Sequence, residues 1–397
     1  MFEHIPSFAG DPILSLMESF LKDPREYKVN VSIGLYYDED GQIPLLPPVI
    51  AVEEALVAQH QARSYLPMEG APGFRKAARE YVFGAEHEAV RGGRVASIQT
   101  LGGSGGLSLT AAFVKRFFPD AQVWISDPTW DNHRAIFNAA GVKVNVYPYY
   151  DQANNRVLFD EMLACMAQLP QHSIVLLHPC CHNPTGMGLS NAQWDKLISV
   201  FKARNLMAYL DIAYQGLGVG IEEDAWAVRQ FAAAGVTCFV GSSFSKTFSL
   251  YGERIGALHV VCANEQEAAN VLGQYKAIVR QTYSSPPTHG AMLVARVLED
   301  TALRKAWESQ VNQMRTRIME MRSVLEKTIS AKVPGRDFSY FTAQQGMFSY
   351  TGLNEAQVDR LREEFAVYLV RSGRMCVAGL NRKNVDYVAE SMAKVLV

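Results

Sequence analysis

The chain has 397 residues, of which 48% are apolar and 20% charged, and its net charge is −2. That length can bury a large core and predicts two or three domains, while the near-neutral balance supplies no basic field for nucleic acid or an anionic membrane. No run approaches the roughly 18 apolar residues of a membrane span. The N-terminal MFEHIPSFAGDP lacks the basic flank and apolar core of a signal peptide. Six cysteines without a CxxC pair read as reduced intracellular thiols. The expectation is a cytoplasmic chain with an idle Asn30-Val31-Ser32 sequon.

Asp11-Pro12 followed by Ile13, Leu14, Leu16, Met17 and Phe20 predicts a short amphipathic helix. An extended segment, VNVSIGLYYDEDG, follows, and Gly34 inside it marks a bulge or a close approach to the backbone. Pro44, Pro47 and Pro48 form a boundary, Val49 to Gln61 reads as a helix, and Tyr65 falls in an exposed loop. Strand-like runs then recur near 95–100, 122–126, 142–147, 173–178, 207–211, 237–240 and 256–262, most of them separated by helical patterns such as Gln193 to Arg204. Alternation of this kind implies crossover connections, hence an α/β fold with a mostly parallel seven-stranded sheet between helices. After 288 the pattern changes. Leu303 to Ile329 reads as a long helix with an interruption or bend, followed by an apolar Met347–Tyr350 run, a helix near 354–370, SGRMCVAGL and a final helix. The predicted division is a large domain over 45–310 and a smaller α+β domain from 1–44 and 311–397.

Several stretches at strand ends carry chemistry. TLGGSGGLSL, 100–109, ends a strand and opens a helix; its glycines admit an anion to backbone N–H groups, or simply make a tight turn. The segment fails both the dinucleotide and the P-loop patterns. In DPTWDNH, 127–133, Trp130 offers a face to a ring or fills core, and His133 is a ligand-side or a structural histidine. LLHPCCHNPTG, 176–186, gathers His178, Cys180, Cys181 and His182, which raises zinc, but no second ligand pair follows at the usual spacing. Asn183 can donate to a ligand oxygen, and the Asn183-Pro184 bond is open to either isomer. In LDIAYQG, Asp211 ends an apolar strand and needs a cationic or N–H partner, as a pyridinium or a structural ion pair would supply. GSSFSKTFSLYGER, 241–254, sets Lys246 between Ser243, Ser245 and Arg254. A lysine in an apolar cleft near another cation loses proton affinity and can attack a carbonyl, and serines with an arginine seat a phosphate. Starting at Asn183, the successive gaps to Asp211, Tyr214, Lys246 and Arg254 are 28, 3, 32 and 8 residues. A phosphorylated pyridine aldehyde needs these groups together.

These motifs, with SIGLYYDEDG, YLPMEG, YSSPP and SGRMCVAGL, resemble the pyridoxal-phosphate-dependent aminotransferases of the aspartate and aromatic amino acid group, a fold type I family, over essentially the whole chain. The similarity is greatest to bacterial aromatic (tyrosine) aminotransferases. The resemblance implies pyridoxal 5'-phosphate as cofactor, held by Lys246 as a Schiff base. Lys246 would also shuttle the proton, Asp211 would keep the pyridine nitrogen protonated, Tyr214 and Asn183 would bond the ring oxygen, and Trp130 would stack on the ring. Gly103, Ser104, Ser243, Ser245 and Arg254 would hold the phosphate, with Tyr65 reaching it from the second subunit of a homodimer. Arg374 would clamp the substrate α-carboxylate, Arg280 would enter across the dimer, His133 would support Asp211 from behind, and Gly34 would lie where the small domain closes over substrate. No metal is implied.

The expected reaction is ping-pong transfer of the amino group of tyrosine or phenylalanine to 2-oxoglutarate, giving aromatic 2-oxo acids and glutamate. An aspartate aminotransferase shares every catalytic residue and is the alternative. A lyase on the same fold and a non-catalytic regulator are further ones; the complete set of Lys246, Asp211, Tyr214 and Arg374 argues against the regulator.

Overall fold

Val- and Ile-rich runs bounded by turn residues form seven strands of one sheet: β1 (Val95–Leu101), β2 (Val123–Asp127), β3 (Val144–Pro148), β4 (Ile174–Leu177), β5 (Met207–Ile212), β6 (Cys238–Ser243) and β7 (Ile255–Val261). The computed structural model describes residues 1–7 and 10–397; positions 8 and 9 of the stretch read for a leader lie outside them. The strand order is β1-β7-β6-β5-β4-β2-β3. All neighbours run parallel except β7, which is antiparallel to both β6 and β1. The α/β reading therefore holds. Strand β6 continues three residues past the predicted end at Val240, and this carries the hydroxyl residues Ser242 and Ser243 into the sheet.

The chain divides into two compact units, Pro44–Thr316 and Met1–Ile43 with Arg317–Val397. In the larger unit the middle of the sheet is fully buried, with Ile174, Val175, Leu176, Ala208, Tyr209 and Leu210 inaccessible to solvent. Helix α1 (Gly102–Phe117) buries Leu107, Leu109, Phe113 and Val114. Phe113 stacks on Tyr275 at 4.7 Å between centroids and meets Phe239 of β6 edge-on. Helices α2 (Asp131–Ala139), α3 (Asn191–Arg204) and α4 (Glu265–Thr282) also belong to this unit. A reciprocal cap starts α3: the Ser190 hydroxyl accepts from the Gln193 N–H while the Gln193 amide oxygen accepts from the Ser190 N–H. Left-handed Asn205 then ends it.

Helix α5 (Thr301–Lys332) is continuous, so of the expected interruption or bend the interruption is absent. It contains neither glycine nor proline, and Trp307, Val311, Met314, Ile318, Met321, Leu325 and Ile329 recur at helical spacing as buried residues.

In the smaller unit the Asp11 carboxylate caps the helix Pro12–Lys22, accepting from the N–H groups of Ile13 and Leu14. The predicted extended segment forms strand only at Val29–Asn30, which pairs in parallel with Val367–Tyr368. Beyond it the chain turns at Gly34, where the Leu35 N–H donates to the Ile33 carbonyl at 2.9 Å. The helix expected to reach 370 stops at Phe365, because Ala366 adopts φ 52° and turns the chain into Val367–Tyr368. Phe348–Tyr350 pairs antiparallel with Arg374–Cys376. Buried Arg322 donates to the carbonyls of Phe341, Gly346 and Phe348 and to the Ser349 hydroxyl.

Candidate active site

Register brings the chemistry-bearing residues of the larger unit to one sheet edge. Leu177 lies opposite Leu210, and Asp211 lies opposite Gly241, so His178, Asp211 and Gly241 follow one another across β4, β5 and β6, with Ser242 one residue further along. Because β7 runs the other way, its start falls at the same edge: Gly256 pairs with Ser243, and Ile255 with Leu101 at the end of β1. Arg254 and Gly102 therefore flank the hydroxyl cluster. This is the carboxyl edge of the parallel strands, where open α/β sheets bind ligands.

Asp211 has a built support. His133, fully buried on α2, places Nε2 3.0 Å from Asp211 Oδ2, and its Nδ1 lies 2.8 Å from the Thr129 hydroxyl. Trp130, which precedes α2, meets the His133 ring edge-on at 5.2 Å. Asn183 and Tyr214 are buried, and the peptide bonds before Pro128 and Pro184 are both cis.

Gly102, at φ +67°, opens α1, and a Cβ on it would lie 2.4 Å from Arg254 Nη2. The positive φ favours glycine, and a side chain there would have to displace the guanidinium. The first N–H groups of α1, at Gly103 and Ser104, lack partners inside the helix, and Gly103 approaches Ser243 closely enough that an added Cβ would stand 3.7 Å from the serine Cβ. The hydroxyls of Ser243 and Ser245 are 3.2 Å apart. Arg254 donates through Nη1 to the Tyr251 carbonyl, leaving Nη2 beside the glycine turn. Helix N-terminus, hydroxyls and guanidinium make a seat for a dianion. Lys246, the amine of this edge, has Nζ 5.0 Å from the Tyr251 ring centroid.

The His178–His182 stretch does not converge as a zinc set. Both nitrogens of His182 are engaged at 2.9 Å, by the hydroxyls of Ser126 and Thr185, with Tyr149 stacked on the ring at 4.1 Å. Cys180 and Cys181 approach Asp224. That carboxylate accepts from the N–H groups of Gly216, Gly218 and Val219 and is committed to holding their loop. Burial, with His133 beside it, pushes the His178 imidazole down to about 3, so the ring is neutral.

Tyr65 is 92% exposed in the loop after the helix Pro47–Ala58. Arg280 sits in the last turn of α4 and donates to the Ser284 hydroxyl. In the smaller unit Arg374 is buried, donates to the Ser32 carbonyl at 2.7 Å and lies 4.6 Å from the Phe348 ring centroid. Gly34 lies at the turn described above. Sequence reasoning missed Thr129, whose signal is its place four residues before His133 at a helix start. It also missed Gly102, masked by a glycine run with several candidates for the critical turn.

An amine, a supported carboxylate and a group of anion-binding donors at one α/β sheet edge are what a group-transfer enzyme with a bound phosphorylated cofactor requires. The family model described as aminotransferase class I and II matches residues 26–392, and the chain belongs to that family. It is 58% identical over 369 residues to the aromatic-amino-acid aminotransferase of Escherichia coli (strain K12), covering 93% of each chain. It is 49% identical over 368 residues to an aspartate aminotransferase of Pseudomonas aeruginosa, covering 93% of this chain and 92% of the relative. Among solved structures, an aromatic-amino-acid aminotransferase of Burkholderia pseudomallei covalently bound to pyridoxal phosphate superimposes with a TM-score of 0.98, at 49% identity and full coverage of both chains. Among the described residues no helix is long and apolar enough to cross a membrane.

Proposed function

We propose that this aminotransferase moves amino groups from tyrosine and phenylalanine to 2-oxoglutarate in a ping-pong reaction, with pyridoxal 5'-phosphate at the carboxyl edge of the sheet. The observation that carries the reading is Asp211 braced by His133 and Thr129 at the edge that also holds the anion seat. A braced carboxylate suits a pyridine N–H, and the Gly102 cradle beside Arg254 suits a phosphate, so the residues present fit the cofactor. The aromatic preference rests on the greater identity to an aromatic than to an aspartate enzyme.

When bound, the cofactor supplies an electron sink for the carbon that exchanges its amino group. Lys246 would hold the cofactor's aldehyde through Nζ, and the same amine is the group that would carry a proton to and from the reacting carbon. Asp211 would hold a proton at the ring nitrogen, and His133, bonded to Oδ2, orients the carboxylate for that role. Tyr214 and Asn183 would donate to the ring oxygen, and Trp130 would pack against the ring. Ser104, Ser243, Ser245 and Arg254 would hold the phosphate together with the Gly103 N–H. Arg374 binds the substrate α-carboxylate, with Gly34 beside the substrate. Tyr65 and Arg280 act across the subunit boundary of a cytoplasmic homodimer; the exposed Tyr65 ring is the surface feature that fits such a role.

The test is turnover of tyrosine, phenylalanine and aspartate with 2-oxoglutarate, alongside borohydride trapping. Turnover of both aromatics and reduction of the cofactor onto the Lys246 peptide are expected. An enzyme active on aspartate and neither aromatic would overturn the substrate assignment. Sedimentation as a monomer would remove the shared-site roles of Tyr65 and Arg280.

A further inference from the structure

One nitrogen beside the proposed ring-nitrogen site is unaccounted for. Nδ1 of His178 is buried and has no hydrogen-bond partner, and the residue is only 7% exposed. An imidazole nitrogen left bare in the interior forfeits a hydrogen bond it would have made in water. His178, His133 and Asp211 each offer a ligand atom, and the three atoms lie within 4.8 Å of one another.

We propose that His133, His178 and Asp211 form a site for a borderline divalent transition metal, zinc or cobalt, in the cofactor-free protein, and that metal and pyridoxal phosphate exclude each other. Two imidazoles and one carboxylate are the ligand types such ions take, at about 2.0–2.2 Å, with a fourth position left for water. In a tetrahedral site of those bond lengths the ligand atoms stand roughly 3.3 Å apart. The 3.0 Å between His133 Nε2 and Asp211 Oδ2 already matches, with the metal replacing the proton they share. Thr129 at Nδ1 fixes the ring so that Nε2 faces the site, the outer-shell support that metal histidines carry. With the three atoms within 4.8 Å of one another, a shift of His178 by up to about 1.5 Å completes the triad. The competing cluster of Cys180, Cys181 and Asp224 is weaker, because the Asp224 oxygens already accept three backbone N–H groups.

Exclusion of the cofactor rests on the proposed function, since Asp211 cannot serve both a dication and a protonated ring nitrogen. The metal site itself does not. The test adds cobalt(II) to the full chain stripped of cofactor and follows the visible d–d absorption. One equivalent per chain is expected, with binding at least tenfold weaker in His178→Asn and about tenfold weaker in Thr129→Val, and unchanged in Cys180→Ser. Added pyridoxal phosphate should release the cobalt. No uptake by the parent protein, or uptake unaffected by both His178→Asn and Thr129→Val, would overturn the site. Stable co-occupancy would overturn the exclusion. Absence of pyridoxal phosphate binding, read separately by its own absorbance, would instead strike the proposed function and leave the cobalt result standing.

Discussion

The two units place their polar groups by different means. The larger unit sets Asp211, Ser243, Gly102 and Arg254 by strand register, so one seven-stranded ladder positions all of them at once. The smaller unit has sheets of two strands, each only two or three residues long, and relies on single polar side chains, above all Arg322. A side chain at the large unit's edge can be removed without disturbing the ladder that holds it. In the smaller unit, removing one side chain removes the scaffold. Function and stability should therefore separate in one unit and coincide in the other.

The sharpest way to break that contrast is Lys246→Ala. Turnover should fall by at least about 10⁴-fold, while the urea unfolding midpoint stays put. A large loss of stability would show that the edge is structural after all. Next in size is Arg322→Met, which leaves three buried carbonyls and a hydroxyl without their donor; a loss of about 3–5 kcal/mol in chemical denaturation is expected. A loss under about 1 kcal/mol would mean the strand pairs alone hold the smaller unit.

A pH series adds a feature of the ladder itself. His259 on β7 is buried, with Nδ1 2.9 Å from the Ser97 hydroxyl, and burial pushes its imidazole down to about 3. The folded chain then keeps this ring neutral, while the unfolded chain protonates it below about 6.5. The unfolded state binds the extra proton, so stability is whole above that value and declines as pH falls from about 6.5 toward 3, by up to about 1.4 kcal/mol per pH unit for this ring. Replacing His259 with Asn should flatten that part of the curve; an unchanged slope would place the acid sensitivity elsewhere. The smallest expected effects are the two reciprocal helix caps, one in each unit. Ser190→Ala and Asn354→Ala should each cost about 1 kcal/mol. Unequal costs would show that a cap counts for more where tertiary support is thinner.

The strands of the sheet were legible because burial on both faces makes them apolar runs with clear ends. Asp211 stood out as a carboxylate ending such a run, and Lys246 as an amine among the hydroxyl residues that follow another. The support behind Asp211 was half legible: His133 was visible, but its link to Asp211 spans 78 residues and depends on the way α2 packs. In the smaller unit the turn at Ala366 was not legible, since alanine gives no warning of φ 52°. A strand of two residues likewise has no periodicity to detect. Tertiary pairing with Val29–Asn30, not local propensity, decides that chain reversal.

The single reversed strand, β7, has an effect on heredity as well as on shape. It lets lysine and arginine ride on one short excursion of the polypeptide, leaving the sheet at Ser243 and rejoining it at Ile255. Recombination or mutation elsewhere in the gene can reshape the surrounding walls without splitting that pair. Loss of one residue between Ser243 and Ile255 would misplace both charges in a single event.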